Sequence, residues 1–128
     1  MLHHVSIRTA DIFRSIVFYE RLEFVVHQRF QTGETLACWM ESEQGGRIEL
    51  IQMLEPKPAP EIWLDERYTG YYHLSLLVPN VEESLKSLKN HEVPILLEPI
   101  EQQIGPERYR VAFVLDPDRL PVELIEKL

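Results

Sequence analysis

The sequence predicts an α+β fold made of two tandem βαβββ modules, and three observations carry that prediction. A strand-like run with an embedded histidine, Leu2-His3-His4-Val5-Ser6-Ile7, is echoed by Tyr71-Tyr72-His73-Leu74-Ser75-Leu76. A second run, Arg47-Ile48-Glu49-Leu50-Ile51, is echoed by Pro121-Val122-Glu123-Leu124-Ile125, and the interval from position 4 to 49 is close to that from 73 to 123. In both halves the local signals also run in the same order: strand, helix cap, helix, then three strands.

The first module spans residues 1–53. Residues 2–8 are apolar and β-compatible, and Thr9 or Asp11 can cap the helix that follows. Ile12, Ile16 and Tyr19 recur at helical spacing with Phe13 and Val17 beside them, which predicts a helix over 12–22. Strand character returns at 24–30, Thr32-Gly33-Glu34 turns the chain, and 36–40 is a strand with Cys38 and Met40 on one face and Trp39 on the other. Glu43-Gln44-Gly45-Gly46 is a second turn, leading to a strand over 47–53.

Residues 54–70 read as a linker, because Pro56, Pro58 and Pro60 at alternate positions favour an extended segment and exclude a central strand. Trp63 and Tyr68 are expected to pin it to the core. The second module, 71–128, repeats the order. A strand over 72–78 is followed by Asn80, a cap with Glu83 three residues on, and by Val81, Leu85 and Leu88 as a helical apolar stripe. Residues 93–97 form a strand edged by Pro94; 98–108, polar with Pro99, Gly105 and Pro106, read as a loop near the site. Strands over 109–115 and 121–125 close the module across Asp116-Pro117-Asp118.

A module of this length is marginal alone, so the two are expected to share one domain over 1–128. Their sheets would form one curved, mixed sheet around a cleft with the helices outside. Strand alternation places the neighbours of each titratable residue, such as Ile48 and Leu50 around Glu49, on the helix side, and His4, Glu49, His73 and Glu123 on the cleft side. It also places His3 opposite His4, as a structural or partly exposed residue. His27 and His91 have no counterparts in the duplication and read as surface residues.

With 45% hydrophobic and 27% charged residues the composition is that of a globular domain, and no apolar run approaches the length of a spanning helix. No basic and then apolar leader opens the chain, so a cytoplasmic protein is expected. A formal net charge of −8 excludes nucleic acid and anionic membranes as natural partners and is compatible with a small molecule or a cation. The single Cys38 cannot form an intrachain disulfide and reads as a small buried residue rather than a catalytic thiol.

Two imidazoles and two carboxylates brought together on a concave face are costly to bury unless something replaces their hydration. A divalent cation does so, and nitrogen and oxygen ligands without thiolate suit Ni, Zn, Co, Mn or Fe. Any one of these residues taken singly is more often exposed or simply hydrogen-bonded; the matched pattern in both halves is what raises the metal reading.

In order, His4-x-x-Ile7-Arg8-x-x-Asp11, Ser15-Ile16-x-Phe18-Tyr19, Ile48-Glu49-Leu50, His73-Leu74-Ser75, Asp116-Pro117-Asp118 and Val122-Glu123-Leu124-Ile125 cover nearly the whole chain. With them the sequence resembles the vicinal oxygen chelate superfamily, and within it the glyoxalase I (lactoylglutathione lyase) branch. The resemblance implies the glyoxalase/bleomycin resistance/dioxygenase fold, His4, Glu49, His73 and Glu123 as metal ligands, and a homodimer. It implies a lyase or isomerase that moves a proton through a metal-stabilised enediolate of a hemithioacetal-like substrate, with Glu123 as the base and Glu49 mainly holding the metal while able to share the proton. Arg8 matches a substrate-contacting arginine of that branch.

Three departures bear on this. Glu23 and Arg119 stand where the branch carries glycine, and Met53 stands where it carries a glutathione-binding asparagine. Together with a basic loop shortened to Gly105-Pro106-Glu107-Arg108, Met53 argues against glutathione as cosubstrate. The alternatives are an epimerase using the same enolate chemistry, a ring-cleaving dioxygenase, against which the additional Glu49 argues, and a metal-free drug- or metabolite-binding protein of the bleomycin-resistance kind.

Overall fold

The structure, a computed structural model, describes all residues from Met1 to Leu128. It resolves into two compact units, Met1–Pro58 and Ala59–Leu128, so the Pro-rich stretch is divided and its second part belongs with the second unit. Each unit is a βαβββ module, as the repeated signals predict. No helix is long and apolar enough to cross a membrane.

In the first unit, β1 (Val5–Thr9), α1 (Ile12–Glu20), β2 (Phe24–Thr32), β3 (Thr35–Ser42) and β4 (Arg47–Gln52) form a sheet in the order β1-β4-β3-β2. The β1–β4 pair is parallel and the others antiparallel, a mixed sheet in which α1 carries the chain from β1 at one edge to β2 at the other. Register puts Ile7, Leu50 and Cys38 in one row and Met40 opposite Ile48 in the next; all five are buried. The other face of the same three strands carries Ser6, Glu49 and Trp39 in one row.

Local chemistry holds α1 to this sheet. Asp11, in extended conformation, caps it by accepting from Phe13 N and Arg14 N. Gln52 at the end of β4 accepts from Ile12 N at 2.9 Å, satisfying another of the free amides of the first turn. Thr9 is not the cap; its hydroxyl is buried and lies 2.7 Å from Ser15 Oγ. That bond turns Ser15 inward, and with Ile12, Ile16, Phe18 and Tyr19 it forms the buried face. The stripe Ile12, Ile16 and Tyr19 read in the sequence is thus buried, while Phe13 and Val17 beside it are 61% and 44% exposed.

The second unit contains a short 3-10 helix (Ile62–Leu64), β5 (Leu74–Leu77), α2 (Val81–Lys89), β6 (Ile95–Ile104), β7 (Glu107–Leu115) and β8 (Pro121–Lys127), with strand order β5-β8-β7-β6. Again the first and last strands, β5 and β8, pair in parallel, and the helix carries the chain from one edge of the sheet to the other. Asn80 caps α2 by accepting from Glu83 N, and Glu82 and Glu83 at its start with Lys86 and Lys89 at its end complement the helix dipole. Glu126 accepts from Val81 N, in the place Gln52 holds in the first unit. The stripe Val81, Leu85 and Leu88 is buried with Val111, Val114, Val122 and Leu124.

Two expectations are corrected here. Residues 98–108 are not a loop: β6 continues to Ile104, and β6 and β7 form a long antiparallel hairpin turned at Gly105 and Pro106. An edge strand can be polar because both of its faces meet water, and Pro99 sits between Leu97 and Ile100, where the register shifts and no ladder donor is required. Of the two aromatics expected to anchor the linker, Trp63 does so, its indole N–H donating to Arg119 O at 3.3 Å with the Arg119 guanidinium over the ring. Tyr68 is 68% exposed.

Candidate functional site

His4 is the residue before β1, and Glu49 lies in the middle of β4 opposite Ser6. The first unit brings them together, with His4 Nε2 3.5 Å from Glu49 Oε1. Ser6 Oγ donates to that same Oε1 at 2.9 Å, and the Trp39 indole N–H donates to Oε2 at 2.8 Å from the neighbouring strand. Burial opposes ionisation of Glu49, but the donors Trp39 and Ser6, with the charges of His4 and His3, outweigh it and hold the carboxyl below its ordinary range.

His3 is not on the opposite face from His4. Regular strand begins only at Val5, so alternation does not govern positions 3 and 4, and the two imidazoles meet at Nδ1 with 2.7 Å between them. His3 Nε2 lies 2.8 Å from Arg47 Nη1, and Arg47 in turn is held by Glu41 through Nε and Nη2. Arginine can only donate, so His3 Nε2 accepts, its Nδ1–H donates to His4 Nδ1, and the proton of a neutral His4 resides on Nε2.

The second unit reproduces the core of this arrangement. His73 precedes β5, Glu123 is the mid-strand residue of β8 opposite Ser75, and His73 Nε2 lies 3.7 Å from Glu123 Oε1. Ser75 Oγ donates to that oxygen at 2.5 Å. The surroundings differ. Phe113 occupies the register position opposite Glu123 that Trp39 occupies opposite Glu49. His73 is held by ring contacts, edge-on to Phe113 at 4.9 Å and to Tyr72 at 4.4 Å, and its Nδ1 is buried without a hydrogen-bond partner.

Comparison with known proteins places this duplicated pattern. The sequence profile described as Glyoxalase/Bleomycin resistance protein/Dioxygenase superfamily matches residues 3–113, which include both histidines and Glu49. The chain belongs to that superfamily. Its relatives include the uncharacterized protein YwkD of Bacillus subtilis, 31% identical over 98% of this chain and 96% of YwkD. Among solved structures, a glyoxalase family protein from Bacillus cereus superposes with a TM-score of 0.81 at 20% identity, covering 99% of this chain and 93% of that one. The trypanothione-dependent glyoxalase I of Leishmania major superposes with a TM-score of 0.73 at 28% identity, covering 96% and 84%.

The donor set of this superfamily member can be tested for fit to a divalent ion. Two ligand atoms each about 2.1 Å from one ion stand about 3.0 Å apart at a right angle and about 3.4 Å apart at the tetrahedral angle. Separations of 3.5 and 3.7 Å within the two pairs are near the wider value, and both are too long for a good hydrogen bond. In each pair the nitrogen and the oxygen are close enough to share one ion without being well hydrogen-bonded to each other. In neither unit does a further His, Cys, Asp or Glu complete a set of three that could hold a metal alone.

The other candidates from the sequence are placed as follows. Arg8 is exposed on β1, two residues beyond Ser6 and on the same face. Cys38 is buried on the helix side of β3, where burial pushes its thiol pKa up. His27 is exposed with Nδ1 3.5 Å from Glu41 Oε2, and His91 is exposed beyond α2. Sequence reasoning missed Ser6, Ser75, Trp39, His3 and Arg47 as parts of the site. The two serines were visible as members of the echo; Trp39 becomes visible only when the β3–β4 register sets it opposite Glu49.

Proposed function

We propose that this protein is a metal-dependent lyase or isomerase of the glyoxalase I type, with His4, Glu49, His73 and Glu123 holding a divalent ion and a homodimer as the working form. The observation that carries the reading is the matched pair: in each unit a histidine Nε2 and a glutamate Oε1 lie 3.5 and 3.7 Å apart, and a serine from the same strand row donates to that oxygen. The likeness to a glyoxalase I at 28% identity supports the same reading.

A bound divalent ion supplies Lewis-acid stabilisation to charge developing on adjacent oxygens of a small oxygenated substrate. The residues of the chain do the rest. Ser6 and Ser75 orient the glutamates by occupying one lone pair of each Oε1. Glu49 is held at both oxygens and serves as a fixed ligand. Glu123 has a second oxygen with no protein donor and is the general base that moves a proton between neighbouring carbons. His4 would hold the ion through Nε2, with its ring proton then on Nδ1 beside His3, and Glu41 would keep Arg47 in place. Arg8 is available to an anionic group of the substrate.

Metal content of untagged protein, followed by titration with Zn²⁺ and Ni²⁺, tests the first part. The expected result is one ion for each His4/Glu49/His73/Glu123 set, with affinity reduced on changing His4 or His73 to Ala. Turnover of methylglyoxal hemithioacetals made with glutathione and with smaller thiols tests the second. A chain that takes up no divalent ion refutes the metalloenzyme reading, and uptake with no turnover of any hemithioacetal refutes the glyoxalase I chemistry.

A further inference from the structure

The two His–Glu pairs are alike at their centres and unlike in what surrounds them. Opposite Glu49, the Trp39 indole donates to Oε2 at 2.8 Å while Ser6 donates to Oε1 at 2.9 Å, so the carboxylate is pinned at both ends. The indole is itself fixed: Phe30 meets it edge-on at 5.3 Å, His3 edge-on at 5.3 Å, and the Arg47 guanidinium lies over it at 4.7 Å. Opposite Glu123 the matched residue is Phe113, which has no donor, and Ser75 is the one hydrogen-bond donor to the carboxylate, at Oε1.

From this difference we infer that Trp39 is a positioning residue: its indole N–H keeps Glu49 a one-oxygen, immobile ligand, and Phe113 at the matched position leaves Glu123 the carboxylate free to move. The inference rests on the metal-dependent reading above and adds to it which residue makes the two carboxylates unequal. A hydrogen bond to an ionised carboxylate is among the stronger ones, and a rigid bicyclic donor packed on three sides cannot follow the carboxylate if it swings. Rotation of Glu49 to present both oxygens would strand the indole N–H, whereas the same rotation of Glu123 disturbs only the Ser75 hydroxyl, a small donor that can turn with the carboxylate. A tryptophan that merely found a partner for its own N–H predicts no link to metal binding.

The test uses the full ¹⁵N-labelled chain, whose two tryptophans, Trp39 and Trp63, give two indole N–H signals assigned with Trp63→Phe. In the metal-free protein the Trp39 signal is expected to exchange slowly with solvent, and at least about 10-fold faster in Glu49→Gln, which weakens the charge-assisted bond. Addition of Zn²⁺ is expected to leave that exchange rate within about 2-fold, because Oε2 stays with the indole. Trp39→Phe, which gives the first unit the aromatic residue of the second, is expected to weaken Zn²⁺ binding by about 10- to 100-fold, the usual cost of losing a group that orients a metal ligand. Acceleration of Trp39 exchange by Zn²⁺ of 10-fold or more overturns the inference, as does unchanged Zn²⁺ affinity in a folded Trp39→Phe. If that variant does not fold, the wild-type exchange measurement decides alone. Wild-type protein that binds no Zn²⁺ overturns the metal reading and this inference with it, an outcome distinct from binding that simply ignores the indole.

Discussion

Replacing Glu23 or Glu92 by glycine should stabilise the protein, and replacing Arg119 by glycine should not. All three residues have left-handed backbone conformations, with φ of 68°, 60° and 64°. Glu23 and Glu92 each lie two residues beyond the C-cap of their helix, Arg21 for α1 and Asn90 for α2, and both side chains are exposed and without hydrogen-bond or ion-pair partners. A side chain with a Cβ in this region costs about 1–2 kcal/mol, and glycine returns about 0.5–1 kcal/mol of that through the extra freedom of its unfolded chain. The net gain is about 0.5–1 kcal/mol at each site. Arg119 carries the same strain, yet its Nε donates to Glu61 Oε1 at 2.7 Å and its guanidinium covers Trp63. Losing an exposed ion pair, about 0.2–0.5 kcal/mol, and an exposed cation–π contact, about 0.5 kcal/mol, cancels the relief. Urea unfolding followed by far-ultraviolet circular dichroism measures this, as a midpoint displaced upward at constant slope for Glu23→Gly and Glu92→Gly and undisplaced for Arg119→Gly. If either glutamate variant is destabilised, or if Arg119→Gly gains as much as the other two, the reasoning is wrong.

Two further outcomes are expected. Glu123→Gln keeps an oxygen for Ser75 and for a metal, so Zn²⁺ affinity should fall by no more than about 10-fold while proton transfer falls by about 10²–10⁴-fold, the usual contribution of a general base; steady-state turnover beside calorimetric titration separates the two. Cys38 should resist alkylation in native protein at pH 8 and react promptly in 6 M urea, because it is buried and its thiol pKa is raised by burial, with Arg29 and a hydrogen bond from the Leu50 backbone only partly opposing. A raised folded-state pKa stabilises fully below the unfolded value of 9.0 and is lost as pH rises above it, so wild type should lose stability relative to Cys38→Ala above about pH 9, read from urea midpoints across that range.

Most of the fold was legible in the sequence because its punctuation is chemical. Asp11 and Asn80 cap the helices they were expected to precede or to share with a neighbour, and the alternation around Glu49 and Glu123 correctly sends Ile48, Leu50, Val122 and Leu124 to the buried side. The failures have local causes. A hydroxyl pair between Thr9 and Ser15 brings a polar residue into the buried face of α1 beside the expected apolar stripe, and such a bond leaves no trace in the spacing of apolar residues. The edge strand β6 has few buried positions, so no alternation exists to be read, and Pro99 hides in a register shift. His3 was assigned by extending strand geometry two residues before the strand begins.

The candidate site was legible for a different reason, which also limited what could be read. Comparing the two halves finds what they share: a histidine before the first strand, a serine two residues on, a glutamate in the middle of the last. It passes over the positions where they differ, and those are where chemistry can be made unequal. As hydrogen-bond donors Trp39 and Phe113 differ by one N–H, and that proton separates a carboxylate held at both oxygens from one held at one. Arg8 and Leu77 stand two residues past the matched serines, both exposed, one cationic and one apolar. His3 in the first unit places a hydrogen-bonding ring on His4 Nδ1, whereas Tyr72 in the second leaves His73 Nδ1 bare. Duplication supplies the matched histidines, serines and glutamates; the unmatched residues around them make the two pairs unequal.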